Sequence, residues 1–325
     1  MKIRYLITLP LLAAFVPAFA QTTTTIYTDN FTNAVATVGS VSNPAGVSST
    51  SQWYESAPSG LSVNNGALQL VNGNNAFYTY FSATPVDLST SAGSKLDLSF
   101  DLTTSATGSS STFKIGLFNS QANLNSTGFT RPTISTTGTG LITAGSTTQT
   151  TTTSGNPYLN WSGYYLNLNP NSAASTATSL QFAQRSSATS NSSLLTNGGS
   201  QTLLGSATLG TTGSNLLANT TYHVDFNLTY NSASSLVLNA TVTNSSTQAV
   251  VDSATYTITS LSSLGGTAFD TLGLNPASSS AAPGWTLDNL AVTETTLVPE
   301  HSTYALIAGV LSLGLVAFRL RRKAA

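Results

Sequence analysis

Acidic residues that could catalyse hydrolysis are few and poorly spaced in this sequence. Glycoside hydrolysis needs two carboxyl groups about 5 to 9.5 Å apart, one on each side of the bond. Asp97 and Asp101 fall on one face of a predicted strand, where four residues of extended chain separate them by about 13 Å. The glutamates are Glu55, Glu294 and Glu300. We therefore predict no catalytic pair of carboxylates.

Histidine and cysteine are too rare for zinc or triad chemistry. The chain has no cysteine and two histidines, His223 and His301. A lone histidine cannot supply the ligands of a zinc site. His223 and Asp225 share the polar face of one predicted strand, but no Gly-x-Ser-x-Gly turn, which would present a nucleophilic serine, accompanies them. We therefore predict a surface histidine and a protein that is not an enzyme.

Two aspartates near the ends of the central region are candidates for calcium binding. Ca²⁺ takes about six to eight oxygen ligands, mainly from carboxylates and carbonyls. Asp29 and Asp288 would meet if the first and last strands of the fold pair with each other. Alternatively, each aspartate makes local hydrogen bonds to the backbone of its own turn. Calcium is the only cofactor that the sequence suggests.

Aromatic residues could stack on the faces of sugar rings. Such platforms are usually accompanied by amides and hydroxyls. Tyr78 and Tyr80 share one face of a predicted strand, and Trp161 is a further candidate. Core packing is the alternative for all three, because most aromatic residues of a half-buried sheet face inward.

Apolar and polar side chains alternate along many segments, which is the pattern of half-buried strands. The apolar positions of three such segments are Leu96, Leu98, Phe100, Leu102; Phe113, Ile115, Leu117; and Tyr222, Val224, Phe226, Leu228, Tyr230. Turn signals such as Asn64-Asn65-Gly66 separate the segments. One apolar and one polar face on many strands predicts antiparallel sheets packed face to face, an all-β sandwich of the jelly-roll type.

Two segments read as loops within this β-domain. Residues 130–157 are nearly all Thr, Ser and Gly, and residues 185–218 are Ser, Asn and Gly with scattered Leu. We expect neither to bury much apolar area.

Charge is scarce and unevenly placed. Charged residues make up 6% of the 325 residues, and the net charge is −1. Six of the ten basic residues lie at the two ends, whereas all eleven acidic residues lie between Asp29 and Glu300, a stretch that contains only four basic residues. Without a basic patch the chain is not expected to bind nucleic acid.

The N-terminus has the three parts of a secretory signal peptide, which predicts a signal helix ahead of the β-domain and export through the secretion machinery. Lys2 and Arg4 precede an apolar stretch from Tyr5 to Phe15. Ala18-Phe19-Ala20 then forms a small-x-small cleavage site, so that residues 1–20 are removed and Gln21 begins the mature chain.

The C-terminus predicts a membrane anchor. Residues 306–318 are apolar except for Ser312, and the predicted helix 302–318 would span about 25 Å, the short end of what crosses a bilayer. A basic end follows at 319–323, namely Arg319, Arg321, Arg322 and Lys323. Basic residues stay on the cytoplasmic side, which leaves the β-domain outside.

The last 29 residues, 297–325, resemble the PEP-CTERM sorting tail of Gram-negative bacteria. The matching run is Val298, Pro299, Glu300, His301, Ser302, Thr303, Tyr304 and Ala305, followed by the apolar helix and the basic end. His301 stands where the family usually has a second proline. The resemblance implies handling by an exosortase near Pro299-Glu300 after transient anchoring in the inner membrane, and association with exopolysaccharide and biofilm.

The central region, residues 21–296, resembles concanavalin A-like and LamG-like domains. The opening Asp29-Asn30-Phe31 and the closing stretch from Gly284 to Val292 carry the resemblance. It implies a sandwich whose first and last strands pair.

These observations lead to one expected function and two alternatives. We expect an exported protein of the cell surface or extracellular matrix that associates with polysaccharide. The first alternative is a lectin-like module that binds a defined glycan, with or without calcium. The second, weaker alternative is a glycoside hydrolase.

Overall fold

In the computed structural model, the described part of the chain consists mainly of β-strands. The structure describes residues 19–31, 53–55, 61–64, 66–70, 77–82, 84–104, 112–120, 161–168, 180–186, 194–195, 201–206, 216–217, 219–261, 266–277, 285–299, 309, 312–314, 319 and 322. A short 3-10 helix covers Leu88–Thr90. The strands are β1 (Phe19–Asp29), β2 (Trp53–Glu55), β3 (Leu61–Asn64), β4 (Ala67–Leu70), β5 (Phe77–Tyr80), β6 (Val86–Asp87), β7 (Lys95–Thr104), β8 (Thr112–Asn119), β9 (Ser162–Leu168), β10 (Leu180–Arg185), β11 (Gln201–Ser206), β12 (Thr220–Ser232), β13 (Ser235–Asn244), β14 (Val250–Ile258), β15 (Ala268–Phe269), β16 (Thr271–Ala277) and β17 (Trp285–Pro299).

Two large sheets contain nearly all of these strands. Sheet A has the order β14-β13-β12-β7-β17-β4-β3, and β1 also pairs with β17. Sheet B has the order β11-β10-β9-β8-β16-β5-β2, and β15 pairs with β6 in a small ribbon. Where the structure defines the register of two paired strands, the pairing is antiparallel, from the hairpin of β12 and β13 to the long-range pair of β7 and β17. The predicted all-β antiparallel architecture and the pairing of the first and last strands are confirmed.

The main core lies between the two sheets. Apolar residues of β7 and β12 face inward at every second position, and each of them is fully or almost fully buried. Aromatic rings join the sheets: Phe182 of β10 stacks on Phe226 of β12 at 6.0 Å, and Phe113 of β8 lies 5.5 Å from Trp285 of β17. Burying a side chain of this size contributes about 1.5 to 3 kcal/mol, so the alternation seen in the sequence specifies which face of each strand packs inward.

Sheet B departs from the predicted pattern of one buried and one exposed face. Its strands β5, β8, β9 and β16 are buried on both sides. Lys114 and Gly116, which alternate with apolar residues of β8 and were expected to face solvent, are both buried. A second hydrophobic cluster, which includes Tyr78, Tyr80, Trp161, Leu194 and Leu195, covers this outer face. The strands beneath it are therefore buried on both sides.

Part of that cluster comes from the segment 185–218, so the prediction that this segment is only a loop is wrong. It contains β11, and its Leu194 and Leu195 are fully buried. The other predicted loop, 130–157, lies outside the described residues.

The chain divides into two compact units, Thr23–Thr295 and the combined ends 1–22 and 296–325. In the unit of the two ends, Phe19 and Ala20 are in strand β1, although a helical signal peptide was predicted to reach residue 20. Residues 1–18 lie outside the described part of the chain.

Within the predicted membrane span 302–318, the described positions are Gly309 and Ser312–Gly314, which are helical and exposed. Among the residues that the structure describes, no helix has both the length and the apolar character that crossing a membrane requires.

Candidate functional site

The outward side of sheet A is a continuous polar surface, which we call the threonine face. It consists of the outward residues of β7, β12, β13, β14 and β17, which lie in register across the five strands. Its threonines are Thr103, Thr221, Thr229, Thr241, Thr243, Thr255, Thr257, Thr286, Thr293 and Thr295, all partly or largely exposed. Strand geometry sets their spacing at about 6.7 Å along a strand and about 4.8 Å between strands.

Side chains on the threonine face hold one another across the strands. Thr255 donates from its hydroxyl to Asn239 Oδ1 at 2.8 Å, and Asn239 donates through Nδ2 to Asn227 Oδ1 at 3.1 Å. Thr103 and Thr221 join their hydroxyls at 2.8 Å. These cross-strand bonds restrict the side-chain rotamers, so the face presents its donors and acceptors in a fixed arrangement.

A charged cluster lies at one end of the threonine face. His223 Nδ1 is 2.8 Å from Asp101 Oδ1, and His223 Nε2 is 3.4 Å from Asp225 Oδ1. Asn289 donates through Nδ2 to the other oxygen of Asp101 at 2.7 Å. Asp288 lies opposite Asp101 in the pairing of β17 with β7.

The carboxylates of this cluster shift the protonation of its members. Partial burial by itself would lower the pKa of His223, but the hydrogen bond to Asp101 and the negative charges of Asp225 and Asp101 outweigh it and raise the pKa. Burial raises the pKa of Asp288, and the charge of Asp101 raises it further against the opposing hydrogen bond from the Asn289 amide. The cluster therefore favours a positively charged His223.

A pocket of about 190 Å³ lies where β1 approaches β17. It is lined by Thr28, Asp29, Asn30, Asn289, Leu290 and Ala291. Two non-glycine residues in the left-handed region occur here: Asn289, with φ 50°, lines the pocket, and Phe31, with φ 51°, follows the lining residue Asn30. Asn289 belongs to a β-bulge, because the register of β17 against β7 shifts between Asp288 and Ala291. Asn289 thus connects the pocket to the charged cluster.

The structure brings only one of the two predicted calcium ligands into this pocket. Asp29 is 2% exposed, and its carboxylate accepts the Phe31 amide at 2.9 Å and the Tyr27 hydroxyl at 3.4 Å. Asp288 faces Asp101 instead and accepts the Asn289 amide at 2.7 Å. Over the described ranges, no three acidic or histidine side chains are arranged to hold a metal ion. Both aspartates make the local backbone bonds of the alternative interpretation.

The three predicted stacking residues are buried, so they present no face to a sugar. Tyr78, Tyr80 and Trp161 are 2%, 4% and 1% exposed. Their rings meet edge to face, with centroids 5.1 Å apart for Tyr78 and Trp161 and 6.0 Å apart for the two tyrosines. These residues form the second cluster, on the outer face of sheet B, and the core interpretation is the one that their burial supports.

Leucines 194 and 195 cover that second cluster. Lys114 donates through Nζ to the Leu195 carbonyl at 2.9 Å, and Gln201 donates through Nε2 to the Leu194 carbonyl at 3.1 Å. A Cβ at Gly273 would lie 2.6 Å from Leu194 Cδ2, so this glycine makes room for the leucine. Burial lowers the pKa of Lys114.

The candidate hydrolytic residues each have a charged or polar partner on the threonine face. Asp97 is bound to Lys95, and Asp101 is bound to His223 and Asn289. Both ring nitrogens of His223 face carboxylates.

The sorting residues are described in part. Val298 and Pro299 end β17, and Ala20 and Gln21 lie in β1. Arg319 and Arg322 are helical and exposed. The other predicted sorting, basic and cleavage residues lie outside the described part of the chain, namely Ala18, Glu300, His301, Ser302, Thr303, Arg321 and Lys323.

The sequence interpretation missed Asn289 and the link from His223 to Asp101. A signal for Asn289 was present: the apolar positions of β17 change from odd numbers at Trp285 and Leu287 to even numbers at Leu290 and Val292. Such a change in phase marks the extra residue of a bulge.

No protein family matches the chain, and no curated protein matches it. Similar solved structures include a peanut lectin with a bound nine-residue peptide, at 14% identity and a TM-score of 0.39, covering 86% of this chain and 100% of the lectin. Lectin II from Ulex europaeus gives 12% identity and a TM-score of 0.38, covering 81% and 97%. A CBM2 module of the evolved Dit protein from Lactobacillus casei BL23 phage J-1 gives 11% and 0.42, covering 84% and 96%. These structures are similar β-sandwiches, and at this level of likeness they assign no function to the chain.

Proposed function

We propose that this chain is an exported, non-catalytic surface protein whose sandwich binds polysaccharide through the threonine face. The observation that carries the proposal is the ordered array of hydroxyl and amide side chains on the outward side of sheet A. Polysaccharides present hydroxyl groups at short, regular intervals, and such groups pair with fixed protein donors and acceptors.

The shape of the surface suits a long polymer better than a single sugar. The face extends over five neighbouring strands of sheet A. Each contact with a hydroxyl group contributes little on its own, about 0.5 to 1.5 kcal/mol. Because consecutive sugar units belong to one chain, many weak contacts add to a strong attachment.

A defined glycan site is the second candidate, and the pocket at Asn289 favours it. The pocket is concave, polar on the side of Asp29 and Asn30, and continuous with the charged cluster through Asn289. This reading corresponds to a lectin-like module. Calcium dependence would be a further property of that module, and the engagement of Asp29 by Phe31 and Tyr27 argues against it.

Absence of catalysis is part of the proposal. The proposal gives no catalytic role to His223, which is held between Asp101 and Asp225. Among the residues that the structure describes, no observation favours the glycoside hydrolase alternative.

Binding of polysaccharides by the purified full-length protein tests the proposal. We expect retardation in affinity gels that contain neutral polysaccharides such as dextran, mannan or arabinogalactan, with equal retardation in calcium and in chelator. Selective binding of one oligosaccharide on a glycan array, lost in chelator, would instead support the lectin-like module. Failure to bind any glycan in either assay would overturn both proposals.

Export and sorting are proposed from the two ends of the chain. The signal peptide directs the sandwich across the inner membrane, and the tail holds it there until an exosortase acts near Pro299-Glu300. The protein then reaches the cell surface or the extracellular matrix and its exopolysaccharide. Export toward polysaccharide outside the cell agrees with the scarcity of charge on the chain.

Deleting Pro299 and Glu300 is expected to trap the full-length protein in the inner membrane, because the processing enzyme loses its recognition sequence. Membrane fractionation and immunoblotting measure this. The matched variant His301→Pro, which restores the usual family motif, should be released at least as well as the natural chain. Normal surface delivery of the deletion variant would contradict the sorting proposal.

A further inference from the structure

We propose that His223 is a proton-controlled gate that withholds Asp225 from a bound polysaccharide when the imidazole is charged and releases it when the imidazole is neutral. The inference rests on the proposed function, because it concerns regulation of the threonine face itself. It makes attachment to a neutral polysaccharide stronger at alkaline pH than at acidic pH.

The geometry places His223 between two carboxylates on neighbouring positions of the face. Nδ1 lies 2.8 Å from Asp101, which belongs to β7, and Nε2 lies 3.4 Å from Asp225, two residues along β12. On the far side of Asp101, β17 contributes Asp288. On the other flank, the uncharged Thr243 of β13 lies opposite His223. Among the described residues, Asp101 and Asp225 are the acidic groups in contact with the ring, and Asp288 lies beyond Asp101.

Proton counting then gives the gate its two states. A charged imidazole carries protons on both nitrogens and donates to Asp101 and to Asp225 together. A neutral imidazole carries one proton and donates to one of them only. The shorter contact is the one to Asp101, and Asp101 is also fixed by Asn289 at 2.7 Å. Loss of the proton therefore releases the more distant carboxylate, Asp225.

The released carboxylate is flanked by hydroxyl side chains of the threonine face. In register, Asp225 lies between Thr241 of β13 and Ser99 of β7. It is 41% exposed, so a ligand can reach it. A free carboxylate accepts hydrogen bonds from sugar hydroxyls, and bonds to charged groups are about twice as strong as neutral ones. Asp225 thus adds a strong acceptor to the face when His223 is neutral.

The raised pKa of His223 sets where the change occurs. The charged state persists above the ordinary histidine value of about 6.5, so the transition falls on the alkaline side of that value. Binding to dextran, mannan or arabinogalactan should strengthen by about tenfold or more between about pH 5.5 and about pH 8.5, which is the size of one hydrogen bond to a charged group.

Two variants test the gate in the full-length protein. His223→Gln removes the charge that holds Asp225, so its affinity should be high and constant across this pH range. Asp225→Asn should keep the weaker affinity throughout. His301→Gln is the matched control and should retain the natural pH dependence, because the chain has only these two histidines. Constant affinity of the natural protein, or loss of the pH dependence in the His301→Gln control, would overturn the gate.

An NMR titration separates failure of the gate from failure of the proposed function. With carbon-13 labelled aspartate, the Asp225 carboxyl resonance should shift together with the ring resonances of His223, and this coupling should vanish in His223→Gln. If no polysaccharide binds at any pH, the proposed function fails and the titration decides the gate alone. If the polysaccharides bind but the Asp225 resonance does not shift with those of His223, the gate is refuted, whereas polysaccharide binding by the threonine face is not.

Discussion

Replacing Asp270 with alanine is expected to lower the free energy of unfolding by about 3 to 5 kcal/mol. Asp270 is fully buried between β15 and β16. Its carboxylate accepts the Ser120 amide at 2.8 Å, the Ser120 hydroxyl at 2.7 Å and the Thr271 hydroxyl at 2.8 Å. Alanine would leave these three donors buried without an acceptor, which is more damaging than the loss of the bonds themselves.

The backbone of Asp270 also links neighbouring strands of sheet B. Its carbonyl accepts the amide of Phe81 at 2.9 Å, and its own amide donates to the Phe118 carbonyl at 2.9 Å. The side chain therefore stabilises a junction where strands β5, β8 and β16 of sheet B meet.

Urea unfolding followed by tryptophan fluorescence measures the effect. Asp270→Asn keeps the size and one carbonyl oxygen, so it should lose less than half as much stability. Asp97→Ala is a surface control, because it removes a partly exposed ion pair with Lys95 and should change the free energy by less than about 1 kcal/mol. Equal losses in Asp270→Ala and Asp97→Ala would show that the buried carboxylate has no special role.

Replacing Gly116 with alanine is expected to cost about 3 kcal/mol or more, at the upper end of what overpacking produces. Gly116 lies in the middle of β8, opposite Tyr165 of β9. A Cβ there would lie 2.3 Å from the Tyr164 carbonyl oxygen and 2.3 Å from Tyr165 Cβ. Backbone atoms cannot rotate away, so the two strands would have to separate and part of the second cluster would be disrupted.

The same urea experiment tests this substitution against a glycine with open space around it. A Cβ at Gly309 would meet nothing within 4 Å, so Gly309→Ala should leave the unfolding of the sandwich unchanged. Near-natural stability of Gly116→Ala would mean that β8 and β9 adapt, and that the close approach of these strands is not required by the fold.

The buried face of the strands in sheet A could be predicted because the alternation of apolar and polar residues within a single strand is enough to identify it. The alternation of Leu96, Leu98 and Phe100 with polar residues states directly which side of β7 is buried, and the structure agrees. The pairing of the first and last strands was also expected. Opposite faces of one strand differ in polarity here because one faces the core and the other faces solvent.

Sheet B could not be predicted in the same way, because a distant segment decides its exposure. From the alternation in β8, Lys114 is predicted to face solvent. In the structure it donates a hydrogen bond to the Leu195 carbonyl, 81 residues away, and is buried. Scattered leucines in a Ser- and Asn-rich segment do not indicate a cover. A contact of such long range leaves no periodic signal in the sequence.

In the candidate site, too, local features could be predicted from the sequence and long-range contacts could not. Placing His223 and Asp225 on the polar side of one strand followed from local alternation. The bond from His223 to Asp101 joins residues 122 positions apart and depends on the order of strands in the sheet. Asp288 was expected beside Asp29, but the bulge at Asn289 sets its direction, and it faces Asp101.

The affinity of the full-length protein for a neutral polysaccharide, with and without Asn227 and Asn239, tests the threonine face most directly. These two amides bond to each other, so replacing both with alanine removes a donor and an acceptor together and should disturb folding little. Thr202→Ala, at an exposed position on β11 at the edge of sheet B, is the matched control. We predict that Asn227→Ala with Asn239→Ala weakens binding about tenfold while Thr202→Ala binds as the natural protein does. Unchanged binding of the double variant would contradict the assignment of polysaccharide attachment to this face.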